Sequence, residues 1–228
     1  YGVMLLWDVI LLYQYFPQGE KGAFLFLRWV DQFLPLAFTG FFINIGLFAH
    51  LVIMWVGPLQ VQVQGLFVGA PYHDVPALVA FLTILVTTVN FVVSVEVNFY
   101  PKYKNYYSLF NDKGAVGDIT RAGEEMLKVL NVELKYTALK QLLATALAIS
   151  LGGLLLEYVP LGFNDLMEGY FRTLCVGYGI YAVANTMLLL LLYFTDYKGA
   201  LAASGCFAGG TVLFTVISLF FPRVYYGF

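Results

Sequence analysis

The chain has 228 residues, of which 61% are hydrophobic and only 11% charged, and its mean hydropathy is +0.79. A soluble domain needs about 25% charged residues to cover its surface, so most of this surface must face something other than water. The formal net charge of −2 gives no reason to expect a nucleic-acid partner, and the two cysteines, both in apolar runs without metal-ligand spacing, predict free thiols and no metal or cofactor.

Six apolar segments follow one another along the chain, and a helix needs about 20 such residues to cross a bilayer. We predict spans at residues 1–16, 33–57, 76–98, 136–158, 170–194 and 200–221. The first is short, and we expect truncation at both ends of the chain. Polar residues Pro17 to Lys21 follow it, and the stretch from there through Phe33 is predicted to be amphipathic and interfacial. Gly57-Pro58 ends the second span, and Pro76 occupies a favoured first-turn position in the third. The predicted fold class is all-α integral membrane.

A linker at residues 101–135 interrupts the apolar pattern. A turn is predicted at Asn111-Asp112-Lys113-Gly114 and a helix from Asp118 or Thr120, with an apolar stripe of Ile119, Met126, Leu127, Leu130 and Leu134. This helix either lies on the membrane surface or runs into the fourth span, or it is a solvated linker. In the loop after the second span, the alternating residues 60–64 (QVQVQ) are compatible with a short strand. His73-Asp74 is expected to cap the third span.

The distribution of positive charge gives an orientation if the spans alternate. One side then holds ten cations and the other only two, Arg172 and Arg223. The ten are Lys21, Arg28, Lys102, Lys104, Lys113, Arg121, Lys128, Lys135, Lys140 and Lys198. Cytoplasmic loops carry the excess of Lys and Arg, so we predict a multi-pass protein of the cytoplasmic membrane with residues 101–135 inside and residues 60–74 outside.

Four stretches together resemble a known family. They are residues 64–74 (QGLFVGAPYHD), 94–103 (SVEVNFYPKY), 191–196 (LLYFTD) and 222–228 (PRVYYGF), with the amphipathic helix between the second and third. The Ala-Pro-Tyr-x-Asp and Glu-x-Asn-Phe-Tyr elements are the most specific parts. In order and spacing across nearly all 228 residues, the chain resembles the PelG family of Pel exopolysaccharide exporters.

The resemblance implies a flippase-type bundle of about twelve spans, of which this six-helix fragment would be about half. It also implies export of an N-acetylhexosamine-rich polysaccharide made by a cytoplasmic glycosyltransferase, with membrane subunits that sense a cyclic dinucleotide as further partners. Glu96 matches the family pattern. Asn98 stands where an acidic residue is expected, which weakens the case for a pair of carboxylates there.

Polar groups at membrane depth are costly, and each requires a partner or a wet cavity. We select as candidate substrate-pathway or gate residues Glu96, Asn98, Tyr100, Asn90, Asn44, His50 and Asn185. For Glu96, hydration or pairing with Lys102 or Lys104 stands beside a gating or ion-coupling role. For His50, a structural hydrogen bond stands beside a proton relay. The asparagines are predicted to join helices by hydrogen bonds.

Alternative functions remain open on the sequence. The same fold suits an ion-coupled small-molecule antiporter, which would be expected to place an acidic residue deep in a span; only Asp8 approaches that. A non-transporting membrane scaffold of a polysaccharide synthase would suit the amphipathic linker. A membrane enzyme is disfavoured, because the chain has no helical His/Asp pair and no nucleophile elbow. The spans contain almost no Lys or Arg, which favours a neutral polymer over a lipid pyrophosphate.

Overall fold

The computed structural model describes residues 2–15, 28–111, 114–158 and 162–221. The predicted interfacial stretch lies outside the described residues up to position 27, and its remainder forms the start of a helix. The closing motif at residues 222–228 also lies outside them. Within the described residues the chain is almost entirely helical, because long apolar runs in a bilayer must satisfy their own backbone hydrogen bonds.

The described part of the chain forms eight α-helices and one β-hairpin. The helices are α1 (Gly2–Tyr15), α2 (Arg28–Met54), α3 (Pro71–Phe81), α4 (Leu85–Phe91), α5 (Tyr100–Asn111), α6 (Val116–Tyr158), α7 (Asp165–Tyr193) and α8 (Tyr197–Ser218). The helical stretches long and apolar enough to cross a membrane are Phe33–Met54, Pro71–Asn111, Asp165–Tyr193 and Tyr197–Ser218. The predicted all-α membrane class is confirmed, and the twelve-span bundle stays a prediction.

The stretch Pro71–Asn111 is one continuous helical rod with two irregular segments. A short 3₁₀ segment, Leu82–Ile84, separates α3 from α4, and a π-helical segment, Val92–Phe99, separates α4 from α5. In the π segment the turns widen, and the N–H of Tyr100 bonds to the carbonyl of Val95. π segments are rare and are frequently found at functional sites.

The third span begins five residues earlier than its first-turn proline predicts. The helix starts at Pro71, and the Oδ2 atom of Asp74 accepts a 2.9 Å hydrogen bond from the backbone N–H of Ala70. Asp74 therefore lies inside the first turn and bonds back to the residue before the helix, instead of capping a helix that opens at Pro76, and the earlier start places Pro76 inside α3. His73 does not cap the helix either, since both nitrogens of its buried ring lack a hydrogen-bond partner among the described residues.

The linker after the third span is helical on both sides of its turn. The rod continues through α5 to Asn111, and α6 begins at Val116, two residues before the predicted start. The 43 residues of α6 form one helix that also contains the predicted fourth span. At 1.5 Å per residue α6 is about 64 Å long, more than twice a hydrocarbon core of about 30 Å, so with the predicted fourth span in the bilayer the residues before it would project from the membrane.

The loop between α2 and α3 contains the predicted strand. Strands β1 (Val61–Gln64) and β2 (Phe67–Gly69) pair antiparallel around a turn in which Gly65 has φ +59°. Such a positive φ favours glycine, which has no Cβ to clash with the backbone. We refer to this side of the bundle as the β-hairpin end and to the opposite side as the α5/α6 end.

Close helix contacts hold the bundle together, most extensively between α2 and α8, and also between α3 and α7 and between α6 and α7. A Cβ atom on Gly46 would overlap the ring of Phe207, so only glycine lets α2 and α8 approach this closely. Two buried apolar clusters lie at opposite ends. The cluster at the β-hairpin end includes Leu47, Ala77, Ala80, Tyr170, Leu174 and Tyr178, and the one at the α5/α6 end contains Val95, Phe99, Met126 and Leu190.

Candidate functional site at the α5/α6 end

The carboxylate of Glu96 lies in the π segment and is held by a tyrosine. Glu96 is exposed, and its Oε1 atom accepts a 2.9 Å hydrogen bond from the hydroxyl of Tyr193 at the end of α7. The alternative that Glu96 pairs with Lys102 is wrong, because α5 turns Lys102 towards α6. There its ammonium group lies 2.9 Å from Glu125, and this bond holds the pKa of the Glu125 carboxyl below its usual range.

A second carboxylate reaches the same π segment from α6. The side-chain amide of Asn98 donates a 2.8 Å hydrogen bond to Oε1 of Glu133. Asn98 is an amide where the family pattern predicts an acid. Its side chain nevertheless binds the carboxylate of Glu133, which is 35 residues away in the sequence. Sequence reasoning missed Glu133, because an acidic residue next to the apolar stripe of the linker helix is expected simply to face water.

Tyrosine rings of α5 lie beside Tyr193, the partner of Glu96, with the ring centroid of Tyr103 6.2 Å from that of Tyr193. Tyr100 and Tyr103 stack with centroids 6.4 Å apart at 22°, and the ring of Tyr107 lies 4.5 Å from that of Tyr103. The hydroxyl of Tyr103 donates to the backbone carbonyl of Tyr193, which ties α5 to the end of α7. Tyr100 is 42% exposed, so one face of this cluster remains accessible. We call Glu96, Tyr100, Tyr103, Tyr107 and Tyr193 the aromatic–acid cluster.

Deeper in the bundle, Asn90 joins α4 to α6 as predicted for an asparagine between helices. Its amide donates to the hydroxyls of Ser94 (3.1 Å) and Thr137 (2.7 Å), and its carbonyl oxygen accepts from the ammonium group of Lys140. Asn90 is only 8% exposed. Lys140, one of the ten cations that the charge distribution assigns to the cytoplasmic side, reaches this nearly buried amide with its ammonium group.

The hydrogen bonds of Asn90 and Asn98 belong to a longer row of polar contacts between the rod and α6. The hydroxyl of Thr87 donates to the carbonyl oxygen of Gln141, and the amide of Gln141 donates to Thr145 at 3.2 Å. On α6 the members of the row are spaced by four residues, which places them on one helix face. We call this row the polar seam; its α6 members are Glu133, Thr137, Gln141 and Thr145, and its rod members are Thr87, Asn90 and Asn98. The spacing of four was readable in the sequence.

The remaining predicted site residues lie elsewhere. Asn44 is exposed, and its amide donates at 2.8 Å to the carbonyl of Gly40 in its own helix. This bond lies within α2 and does not join two helices, although such a bond was predicted for Asn44. His50 is buried at the β-hairpin end, where its Nε2 atom shares a 3.2 Å hydrogen bond with the hydroxyl of Tyr178. Asn185 is half-buried on α7. The structure thus brings Glu96, Asn98 and Tyr100 together, with Asn90 deeper on the same rod, and separates the other three.

The fold and this site define a multi-pass helical membrane protein whose α5/α6 end presents carboxylates and aromatic rings beside a polar seam. The chain belongs to the family described as "PelG: Putative exopolysaccharide Exporter (EPS-E)", whose profile matches residues 1–228, the whole chain. No curated protein and no solved structure gives a significant match. The resemblance read from the sequence motifs is confirmed, and membership of an exporter family assigns the chain to membrane transport of exopolysaccharide.

Proposed function

We propose that this chain forms part of the route by which an N-acetylhexosamine-rich polysaccharide crosses the cytoplasmic membrane, and that the aromatic–acid cluster receives the polymer. The single observation that carries this proposal is the contact between Glu96 and Tyr193 on a π segment, with the exposed ring of Tyr100 beside it. The family supports export in general. The excess of positive charge on the α5/α6 side supports placing this side in the cytoplasm.

The chemistry of the cluster suits a sugar polymer. Tyrosine rings offer apolar faces on which sugar rings can stack, together with hydroxyl groups at their edges. Ionised carboxylates accept hydrogen bonds only, so Glu96 and Glu133 can accept from the hydroxyl and amide N–H groups of an N-acetylated sugar. No chemical step is required of these residues, and we infer that the chain transports and does not catalyse.

The projecting helices α5 and α6 suggest where partners bind. We infer that the glycosyltransferase that makes the polymer, and membrane subunits that sense a cyclic dinucleotide, dock near this pair so that the growing chain passes directly to the aromatic–acid cluster. The same projection supports a second candidate function, a scaffold that anchors the synthase without transporting. The two candidates differ in where polymer accumulates when the protein is missing.

The first test deletes the full-length gene and measures polymer inside and outside the cells with a lectin for N-acetylhexosamines. Polymer trapped inside is the expected result for an exporter, whereas no polymer anywhere favours the scaffold. Unchanged secretion contradicts both candidates.

The second test concerns the cluster itself. We expect Glu96→Gln to reduce secretion while the protein stays in the membrane at normal level, because the amide removes the negative charge and keeps the shape. Glu124→Gln, at an exposed carboxylate of α6, is the matched control and should secrete normally. Normal secretion by the Glu96 variant would remove this carboxylate from the route.

A further inference from the structure

We propose that His50 and His73 together form a proton-binding site at the β-hairpin end, which exchanges one proton with water on that side through Asp74. The site lies at the opposite end of the bundle from the aromatic–acid cluster. Proton binding stands on the local geometry alone. Its use as an energy source for export rests on the proposed function.

The two histidines come from different helices and meet in the buried apolar cluster of that end. His50 lies near the end of α2 and His73 in the first turn of α3, and both side chains are fully buried. Their ring centroids are 5.2 Å apart at 74°. They are the only two histidines among the 228 residues, so their meeting is specific and gives each a distinct signal in an experiment.

Asp74 connects this pair to the surface. Its Oδ1 atom lies 3.7 Å from Nδ1 of His73, and its side chain is 30% exposed while that of His73 is fully buried. The other oxygen, Oδ2, accepts hydrogen bonds of 2.9 Å from the indole N–H of Trp55 and from the backbone N–H of Ala70. The carboxylate is therefore fixed in place, with Oδ1 directed towards the imidazole.

The hydrogen bonds around His73 are incomplete among the described residues. Both ring nitrogens of His73 and Oδ1 of Asp74 are buried without a hydrogen-bond partner in that part of the chain. Buried polar atoms without partners are rare, because each forfeits its hydration. A proton from water on Nδ1 of His73 makes an imidazolium beside an ionised carboxylate, so a small closing of the 3.7 Å gap satisfies both atoms. The proton returns to water when the contact opens.

The surroundings allow one proton on the pair and no more. Two imidazolium ions with rings 5.2 Å apart would repel each other strongly in a buried site of low dielectric. The hydroxyl of Tyr178 can either donate to or accept from Nε2 of His50, so His50 is accommodated as a neutral ring. Among the described residues, the other titratable groups of this cluster are Tyr170, whose ring packs on His73 at 5.2 Å, the thiol of Cys175, and Tyr181, which packs against the cluster from its edge; all three are on α7.

The location of the histidine pair at the β-hairpin end suggests a role in export. We infer that protons enter from the outer side, where the β-hairpin end is placed by the proposed orientation, and that their binding couples the proton gradient to movement of the polymer. The site joins His50 of α2, His73 of α3 and Tyr178 of α7. A proton bound here therefore changes the contacts among three helices at once.

The decisive experiment follows the imidazole nitrogens by NMR in the full-length protein, carrying a histidine-free affinity tag, labelled with ¹⁵N-histidine and embedded in lipid nanodiscs. Substitution of His50 or His73 by glutamine assigns the two signals. Over a pH titration of the sample, we expect one imidazole and not both to become protonated, with an apparent midpoint that shifts when the other histidine is replaced. Two rings that stay neutral throughout, or that titrate independently, would overturn the proposal.

Export in cells gives the second readout. We expect His73→Gln and Asp74→Asn to lose secretion and retain polymer inside, at normal protein level. Tyr178→Phe, which keeps the ring, should fold normally and shift the NMR midpoint. Secretion lost in the deletion strain but normal in His73→Gln would overturn the coupling, whereas secretion unchanged in the deletion strain would overturn the proposed function and leave the NMR result standing.

Discussion

Replacing Asn90 with leucine tests whether the polar seam joins the rod to α6 as described. The substitution keeps the branching of the side chain, adds volume because two methyl groups are larger than the amide, and removes every hydrogen bond of the amide. Those bonds are to Ser94 on the same rod and to Thr137 and Lys140 on α6. The loss should therefore fall mainly on the contact between two helices.

The expected magnitude follows from the two bonds that cross to α6. Hydrogen bonds between membrane helices contribute about 0.6 kcal/mol each on average and about 1.7 kcal/mol at most. A leucine gains little in return, since lipid tails are as apolar as the protein interior. The ammonium group of Lys140 loses its acceptor and must extend its long side chain towards water. We expect the free energy of unfolding to fall by about 1–2 kcal/mol.

The measurement is reversible unfolding of the purified protein in mixed micelles, with Asn44→Leu as the matched control. Asn44 is exposed and bonds within its own helix, so the same substitution there should change the free energy of unfolding by less than about 0.5 kcal/mol. Equal destabilisation by the two substitutions would refute the reasoning. A double-mutant cycle with Thr137→Val should return a coupling near 0.6 kcal/mol, as estimated above from the average bond.

Three further substitutions test other parts of the structure. Gly46→Ala places a Cβ atom against the ring of Phe207 and should lower the free energy of unfolding by about 1–3 kcal/mol, measured by thermal unfolding. A cysteine at Gln62, in strand β1, should be labelled by an impermeant reagent added to intact cells. Tyr193→Phe removes the hydroxyl that donates to Glu96 but keeps the ring, so secretion should fall less than in Glu96→Gln.

Each of these predictions has its own contrary result. Gly40→Ala is the control for α2, because a Cβ atom there meets nothing within 4 Å, and equal destabilisation would contradict the close contact at Gly46. Labelling of the cysteine only after lysis would reverse the orientation. A greater loss of secretion in the Tyr193 variant than in the Glu96 variant would make the hydroxyl, and not the carboxylate, the group that binds polymer.

The apolar runs made the helical membrane class predictable, because a bilayer leaves a chain of this composition few other structures. The alternation at residues 60–64 likewise located strand β1. The start of the third span was predicted wrongly for an identifiable reason. Both Pro71 and Pro76 can open a helix, and the choice depends on Asp74 reaching back to Ala70, a contact that only the folded turn reveals.

The partners of the site residues could not be predicted in the same way. Periodicity shows which residues share a face of one helix, but it does not determine which two faces meet. Asn98 bonds to Glu133, 35 residues away in the sequence, and Asn90 bonds to Lys140, 50 residues away. Both contacts depend on how far the rod and α6 are shifted past each other along their axes. The π segment shifts that register by widening the turns before Tyr100, and apolar patterning does not record it.

The length of α6 has a mechanical consequence. The helix runs from Val116 to Tyr158, so Thr137, which bonds to Asn90, lies at its midpoint. If α6, about 64 Å long, tilts as a rigid body by about 5° around this point, its two ends move by about 3 Å in opposite directions and its middle hardly moves. A force applied at one end of α6 would therefore move the other end in the opposite direction, and the hydrogen bond between Thr137 and Asn90 would be displaced least.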